Sequence, residues 1–197
     1  MNELPRPDVP PRRELDDLTL ARARTGDRRA LDTLVRHYQG PVYAVVGRML
    51  VGRPRDCVDD VAQDTFVKVV GAIARFDPAG AAALSTWILT IATRTSIDYL
   101  RRPVRSVPLD EVGPEAGEPS TEPSPEGSAA HRRLRARVEA AMESLAPEYR
   151  AVLILRAYND LDYPEIADVL GVATGTVKSR LSRAREALRG AVGGFDD

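Results

Sequence analysis

Between Thr174 and Arg189 the chain reads TGTVKSRLSRAREALR. Lys178, Arg180, Arg183, Arg185 and Arg189 are interleaved with the hydroxyls of Thr174, Thr176, Ser179 and Ser182, against one acid, Glu186. Guanidinium and ammonium groups bond phosphate or the major-groove edge of guanine, and hydroxyls bond either base edges or phosphates. These residue types at this density point to duplex DNA. The charge run alone also fits a solvated face on an ordinary helical hairpin. The neighbouring residues favour the first reading. Val177, Leu181, Ala184 and Leu188 recur at helical spacing and form one buried face, which leaves the basic groups outside. Before them, Asp162 and Glu165 have capping-box spacing, and Pro164 sits where a helix tolerates proline. Ile166, Ala167 and Leu170 are that short helix's apolar side, and Gly171 is its left-handed stop. Thr174 reads as the N-cap of the basic helix. A short helix, a glycine turn and a basic amphipathic helix make a helix-turn-helix.

Two further sets of polar residues lie upstream. Asp56, Asp59, Asp60 and Asp64 crowd the first half of a helix predicted from about Asp56 to Arg75, whose core stripe is Val58, Val61, Ala62, Phe66, Val69 and Ile73. Acids near a helix N-terminus suit the macrodipole, which accounts for the first three. It does not account for Asp64, beside Gln63 and Phe66. The second set follows the loop FDPAGAAALS, where Asp77-Pro78 starts a turn. Ser85 or Thr86 reads as the cap of the next helix. Trp87, Ile88, Ile91, Ala92, Thr95 and Tyr99 are its inward side, Thr93, Arg94 and Ser96 its exposed face, and Arg101 and Arg102 its C-terminal charge.

Catalysis is not indicated. His37 and His131 fall in different halves, neither in metal-ligand spacing with Cys57, and no glycine-rich phosphate loop occurs. We therefore expect no catalytic residue, metal or cofactor. Cys57, the single cysteine, permits no intrachain disulfide. It reads as a small packing residue, with a reactive thiol as the alternative.

The 197 residues carry 43% hydrophobic content and a net charge of −1. That supports packed cores and confines any DNA contact to local patches. No apolar run reaches membrane-spanning length and residues 1–17 lack the apolar core of a secretory signal, so a cytoplasmic location without membrane insertion is expected. Residues 1–14 read as a flexible tail. Helical periodicity occupies 15–102, with Asp27 capping a helix that Gly40-Pro41 breaks or kinks. From Pro103 to about residue 130 the composition turns to Pro, Gly, Glu and Ser without apolar period, the mark of a flexible acidic linker. Helices resume over 131–190, with Pro147 opening one of them, and 191–197 is a tail. The expected fold is all-α: two small helical domains joined by the linker, the second ending in the helix-turn-helix.

Taken in order, DDVAQDTFVKVV, FDP, STW, IDYLRR, YPEIADVLGV and GTVKSRLSRAREAL resemble the extracytoplasmic-function (ECF, group 4) class of bacterial RNA polymerase sigma factors, over about Asp16 to Arg189. The resemblance implies that residues 15–102 are region 2 and 131–190 region 4. It implies that Asp60, Gln63, Asp64 and Phe66 dock on the clamp helices of the polymerase's largest subunit. It implies that Ser85, Thr86, Trp87, Thr93, Arg94, Ser96, Arg101 and Arg102 serve the unwound −10 strand. Thr174, Thr176, Lys178, Ser179, Arg180, Ser182, Arg183 and Arg185 would read the −35 element as duplex. The linker would thread through the polymerase, and an anti-sigma factor would mask these surfaces until a stress signal arrives. The sequence departs from the family where Leu84-Ser85 precede Thr-Trp, where Thr93-Arg94 replace a common Arg-Asn, and where a common Trp is missing near Val70; these bear on the −10 preference. Two other functions compete: a helix-turn-helix regulator with a ligand-sensing N-terminal half, and a helical protein-binding adaptor. Neither explains the acidic face together with FDP and STW.

Overall fold

The computed structural model describes residues 14–80, 82–102, 125–159 and 161–192. Most of the expected N-terminal tail, the linker over 103–124 and the end of the chain lie outside these. Every regular element among the described residues is helical.

Helix α1 (Asp17–Arg24) is capped by Asp16, whose side chain accepts from the Thr19 amide at 2.9 Å. Gly26, at φ 86°, turns the chain so that Asp27 caps α2 (Arg28–Met49) through the Ala30 amide at 2.8 Å. Of the two expectations for Gly40-Pro41, a break or a kink, the break does not occur: α2 continues through Pro41. Pro41 is on the exposed side, while Tyr38, Val42, Val45 and Val46 stay buried on the other side and hold the helix to the core. Helix α3 (Arg55–Ala72) runs into a 3-10 turn (Ile73–Arg75), and α4 (Leu84–Arg101) follows. Leu34, Tyr38, Met49, Val61, Ile88 and Ala92 centre the core of these four helices.

The second half comprises α5 (Pro125–Ser144), α6 (Pro147–Ala157), α7 (Tyr163–Leu170) and α8 (Thr174–Val192). Helix α5 starts inside the stretch read as linker. Pro125 suits a first helical turn, where its missing N–H costs nothing. Val152, Leu155, Ile166, Val177, Leu181 and Ala184 form a second core.

The two halves are in contact, which no local sequence pattern foretells. Ala151 and Ile154 of α6 are buried in the first core, and Met142 and Leu170 touch both cores. Arg150, 4% exposed, crosses the seam. One guanidinium nitrogen donates to the Met49 carbonyl at the end of α2, and another donates to the carbonyls of Glu143 (2.8 Å) and Leu145 (3.3 Å). A cation at the carbonyl ends of two helices is favoured by their dipoles. Burial lowers the Arg150 pKa, opposed by the nearby Glu143 charge. Arg48 stacks over the Tyr158 ring at 4.1 Å.

Candidate nucleic-acid and polymerase interfaces

Helix α7 of the helix-turn-helix has the capping box and the glycine stop expected from its sequence. The Glu165 amide donates to Asp162 Oδ1 at 2.8 Å, and the Asp162 amide donates to Glu165 Oε2 at 2.7 Å. Gly171 takes φ 65°, ψ 41°, a left-handed conformation that costs a Cβ-bearing residue about 1–2 kcal/mol. Thr174 is the first helical residue rather than the cap. The amides of Thr176 and Val177 already donate to the Ala173 carbonyl, at 2.8 and 3.2 Å. With Val177, Leu181 and Ala184 buried, α8 presents Lys178, Ser179, Ser182 and Arg183 to solvent as one stripe. Thr174, Thr176, Arg180 and Arg185 are half-buried. Ser179 Oγ donates to the Thr176 carbonyl at 3.0 Å, and Arg183 donates to the Tyr149 hydroxyl at 3.2 Å. Arg185 turns its Nε into the protein, where it meets no partner.

On α3, Asp60, Gln63, Asp64 and Val67 follow one another on a single exposed face, with Phe66 half-buried at its edge. Val67 is 72% exposed and Val70 38%. With Val35 and Tyr43 of α2 and with Phe66, they line an open groove. Burial, then the Asp59 carboxylate, raises the Tyr43 pKa. Sequence reasoning passed over Val67 and Val70, although a signal existed. Once Phe66, Val69 and Ile73 fill the core stripe, VKVV holds two surplus apolar residues. An acidic rim around exposed apolar side chains is the composition of a protein-docking face.

Helix α4 differs most from the sequence expectation. Trp87 is half-buried, its ring 5.2 Å from that of Phe76, and Thr86 beside it is also half-buried. Neither Ser85 nor Thr86 is the cap: Ala83 holds that position without a side-chain bond. Leu84 and Ser85, two of the family departures, are buried in the first turn. Thr93 (1% exposed) and Ser96 (0%) are not on an open face. Helix α4 packs against α2 and α3 of its own half and also against α6 and α7 of the other, which leaves it little open surface. Ser96 Oγ donates to the Ala92 carbonyl at 2.8 Å, and Thr93 Oγ1 is buried without a partner. Arg94 is exposed in part, but Nε donates to the Val169 carbonyl at 2.8 Å and a terminal nitrogen to that of Asp168 at 3.3 Å, near the end of α7. Arg101 Nε donates to Glu148 at 2.8 Å. Desolvation pushes the Glu148 pKa up, but bonds from its own amide and Arg101, with the charges of Arg101 and Arg180, bring it below the usual value. Arg102 is exposed at the end of α4.

Two family profiles match the two halves: "Sigma-70 region 2" over residues 34–106 and "Sigma-70, region 4" over 135–188. The two halves thus belong to regions 2 and 4 of the sigma-70 class. A Salmonella typhimurium protein named ECF RNA polymerase sigma-E factor is 35% identical over 181 residues, 88% of this chain and 92% of its own. The Mycolicibacterium smegmatis ECF RNA polymerase sigma factor SigE is 36% identical over 172 residues, 84% of this chain but only 63% of that longer protein, just under two thirds. The chain belongs to the ECF RNA polymerase sigma factors. Among solved structures, CnrH, in complex with the cytosolic domain of CnrY, is 27% identical with a TM-score of 0.63, covering 92% of this chain and 99% of CnrH. The sigma factor RpoE of Bartonella quintana, solved with the anti-sigma factor NepR, has a TM-score of 0.60 at 22% identity over 83% of this chain and 97% of its own, a likeness of fold. No helix among the described residues is long and apolar enough to cross a membrane.

Proposed function

We propose that this chain is a group 4 ECF sigma factor: a non-catalytic, cytoplasmic promoter-specificity subunit whose residues 15–102 and 131–190 act as two DNA readers on one polymerase. The observation that carries this is the pairing of two surfaces in one chain: the exposed Lys178–Ser179–Ser182–Arg183 stripe on the second helix of the helix-turn-helix, and the Asp60–Gln63–Asp64–Val67 face on α3. In this reading the α3 face and its apolar groove, with Phe66, dock on the clamp helices of core polymerase. Helix α8 enters the −35 major groove, where Arg183 and Lys178 reach base edges or phosphates and Ser182 bonds either. The loop before α4, with Thr86 and Trp87, takes the unwound −10 strand; a half-exposed aromatic gives an unstacked base a surface to stack on. An anti-sigma factor covers one or both faces when transcription is not required.

The contact between the halves then defines a cycle. Boxes at −10 and −35 lie about 25 base pairs apart, roughly 85 Å at ~3.4 Å per step. Arg94 of α4 meanwhile touches α7 of the −35 reader. Both boxes cannot be read in that arrangement. The packed chain is the unengaged form, and engagement parts the halves and frees Arg94 and Arg101. Pull-down of core polymerase tests the docking half of the proposal. Stoichiometric capture by the wild-type chain supports it, and absence of capture refutes it.

A further inference from the structure

We infer that Glu14 is a positioning residue for the −10 strand: from far upstream in sequence it holds the first turn of α4 and so sets Thr86 and Trp87. This rests on the proposed −10 role of that turn. A helix begins with amides that have no intrahelical partner, and they need an acceptor. Ala83, at the cap position of α4, offers no side chain for this. The acceptor comes from elsewhere. The Ser85 amide donates to Glu14 Oε2 at 3.2 Å, although 71 residues separate the two. Ser85 is only 4% exposed, so water is poorly placed to substitute.

Glu14 is itself fixed. The Tyr38 hydroxyl donates to the same Glu14 oxygen at 3.0 Å and accepts from the Leu15 amide at 3.3 Å. Tyr38 is 2% exposed in the centre of α2. Burial raises its pKa, so the hydroxyl keeps its proton and remains a donor. The order of bonds is Leu15 amide to Tyr38 hydroxyl, then Tyr38 hydroxyl and Ser85 amide together to one carboxylate oxygen. A core tyrosine thus locates the carboxylate, and the carboxylate locates the helix start. A negative charge there also complements the positive end of the α4 dipole. The preceding loop is held locally by Asp77, which accepts from the Ala79 amide through Oδ1 (3.0 Å) and from the Gly80 amide through its carbonyl (3.1 Å). Thr86 and Trp87 lie within the turn that Glu14 anchors.

The test uses holoenzyme reconstituted from the full chain. E14A and E14Q are compared with wild type on a single-stranded −10 oligonucleotide, on −35 duplex and in core-polymerase assembly. E14A is expected to bind the −10 strand about five-fold more weakly, the loss typical of a missing helix cap, with −35 binding and assembly unchanged. E14Q retains an acceptor oxygen for Ser85 and Tyr38 and should recover most of the loss. Unchanged −10 binding in E14A overturns the inference, as does an equal loss in polymerase assembly, which marks Glu14 as a general fold support. W87A separates this from the underlying reading. If W87A loses the −10 strand while E14A keeps it, only the role of Glu14 fails. If W87A also keeps it, the −10 assignment fails and the role of Glu14 with it.

Discussion

Replacing Glu148 by Arg should open the seam between the halves. Glu148 lies in the first turn of α6, bonded to Arg101 of α4 and within the field of Arg180 of α8. The pair is partly solvated, with side-chain exposures of 61% for Arg101 and 22% for Glu148, so its attraction is about 0.5–1 kcal/mol. An arginine there removes that attraction and sets like charges against Arg101 and Arg180, at about the same cost again. The sum, about 1–2 kcal/mol, shifts the closed-to-open ratio roughly five- to thirty-fold. Intramolecular energy transfer between dyes on exposed positions of α3 and α8 reads the ratio directly. The prediction is lower transfer in E148R at low salt, with wild type approaching it as salt screens the pair. Helicity and −35 duplex binding in E148R should stay at wild-type levels. Equal transfer in the two proteins at every salt concentration would refute an electrostatic contribution to the closed form.

Other consequences follow from the same contacts. Arg183→Ala should cost about 1–3 kcal/mol of −35 discrimination if the guanidinium forks onto a base; competition binding with matched and mismatched duplexes measures this. Asp60→Arg with Asp64→Arg should reverse the charge of the α3 face and abolish capture of core polymerase, and Val67→Asp alone should weaken capture by charging the apolar groove; pull-down reads both. Glu148 titrates below the usual 4.5 in the folded chain. Its contribution is therefore complete above the unfolded carboxylate pKa and is lost as pH falls through the lowered folded value. Thermal melts of wild type should drop across that acidic window more than those of Glu148→Gln, which has no such proton to take up.

What could be read from sequence was local. The capping box, Gly171 and the apolar face of α8 all depend on residues within a few positions of one another, and the helix-turn-helix forms as they imply. The α3 face was half legible. Its acids stood out against the dipole explanation, while Val67 and Val70 were hidden among residues that looked like core. Contacts between distant segments were not legible. The cap of α4 comes from Glu14, whose link to Ser85 no periodicity encodes. Thr93 and Ser96 lie on a face that is polar enough to look exposed, yet both are buried, because α4 is packed by helices from both halves of the chain. Arg150 reads in sequence as one more charged helix residue, yet it bridges the ends of α2 and α5. Whether Gly40-Pro41 breaks the helix was likewise not legible locally: Pro41 sits on the exposed side of α2, and the buried residues on the other side carry the helix through it.

Run-off transcription by core polymerase reconstituted with this chain, over a promoter library varying the −35 box, the −10 box and their spacing, tests the central claim most directly. Initiation should require both boxes at one preferred spacing. Arg183→Ala should relax the choice at −35 only, and Trp87→Ala should impair opening at −10 only. Initiation indifferent to both boxes, or no initiation from any promoter in the library, would contradict it.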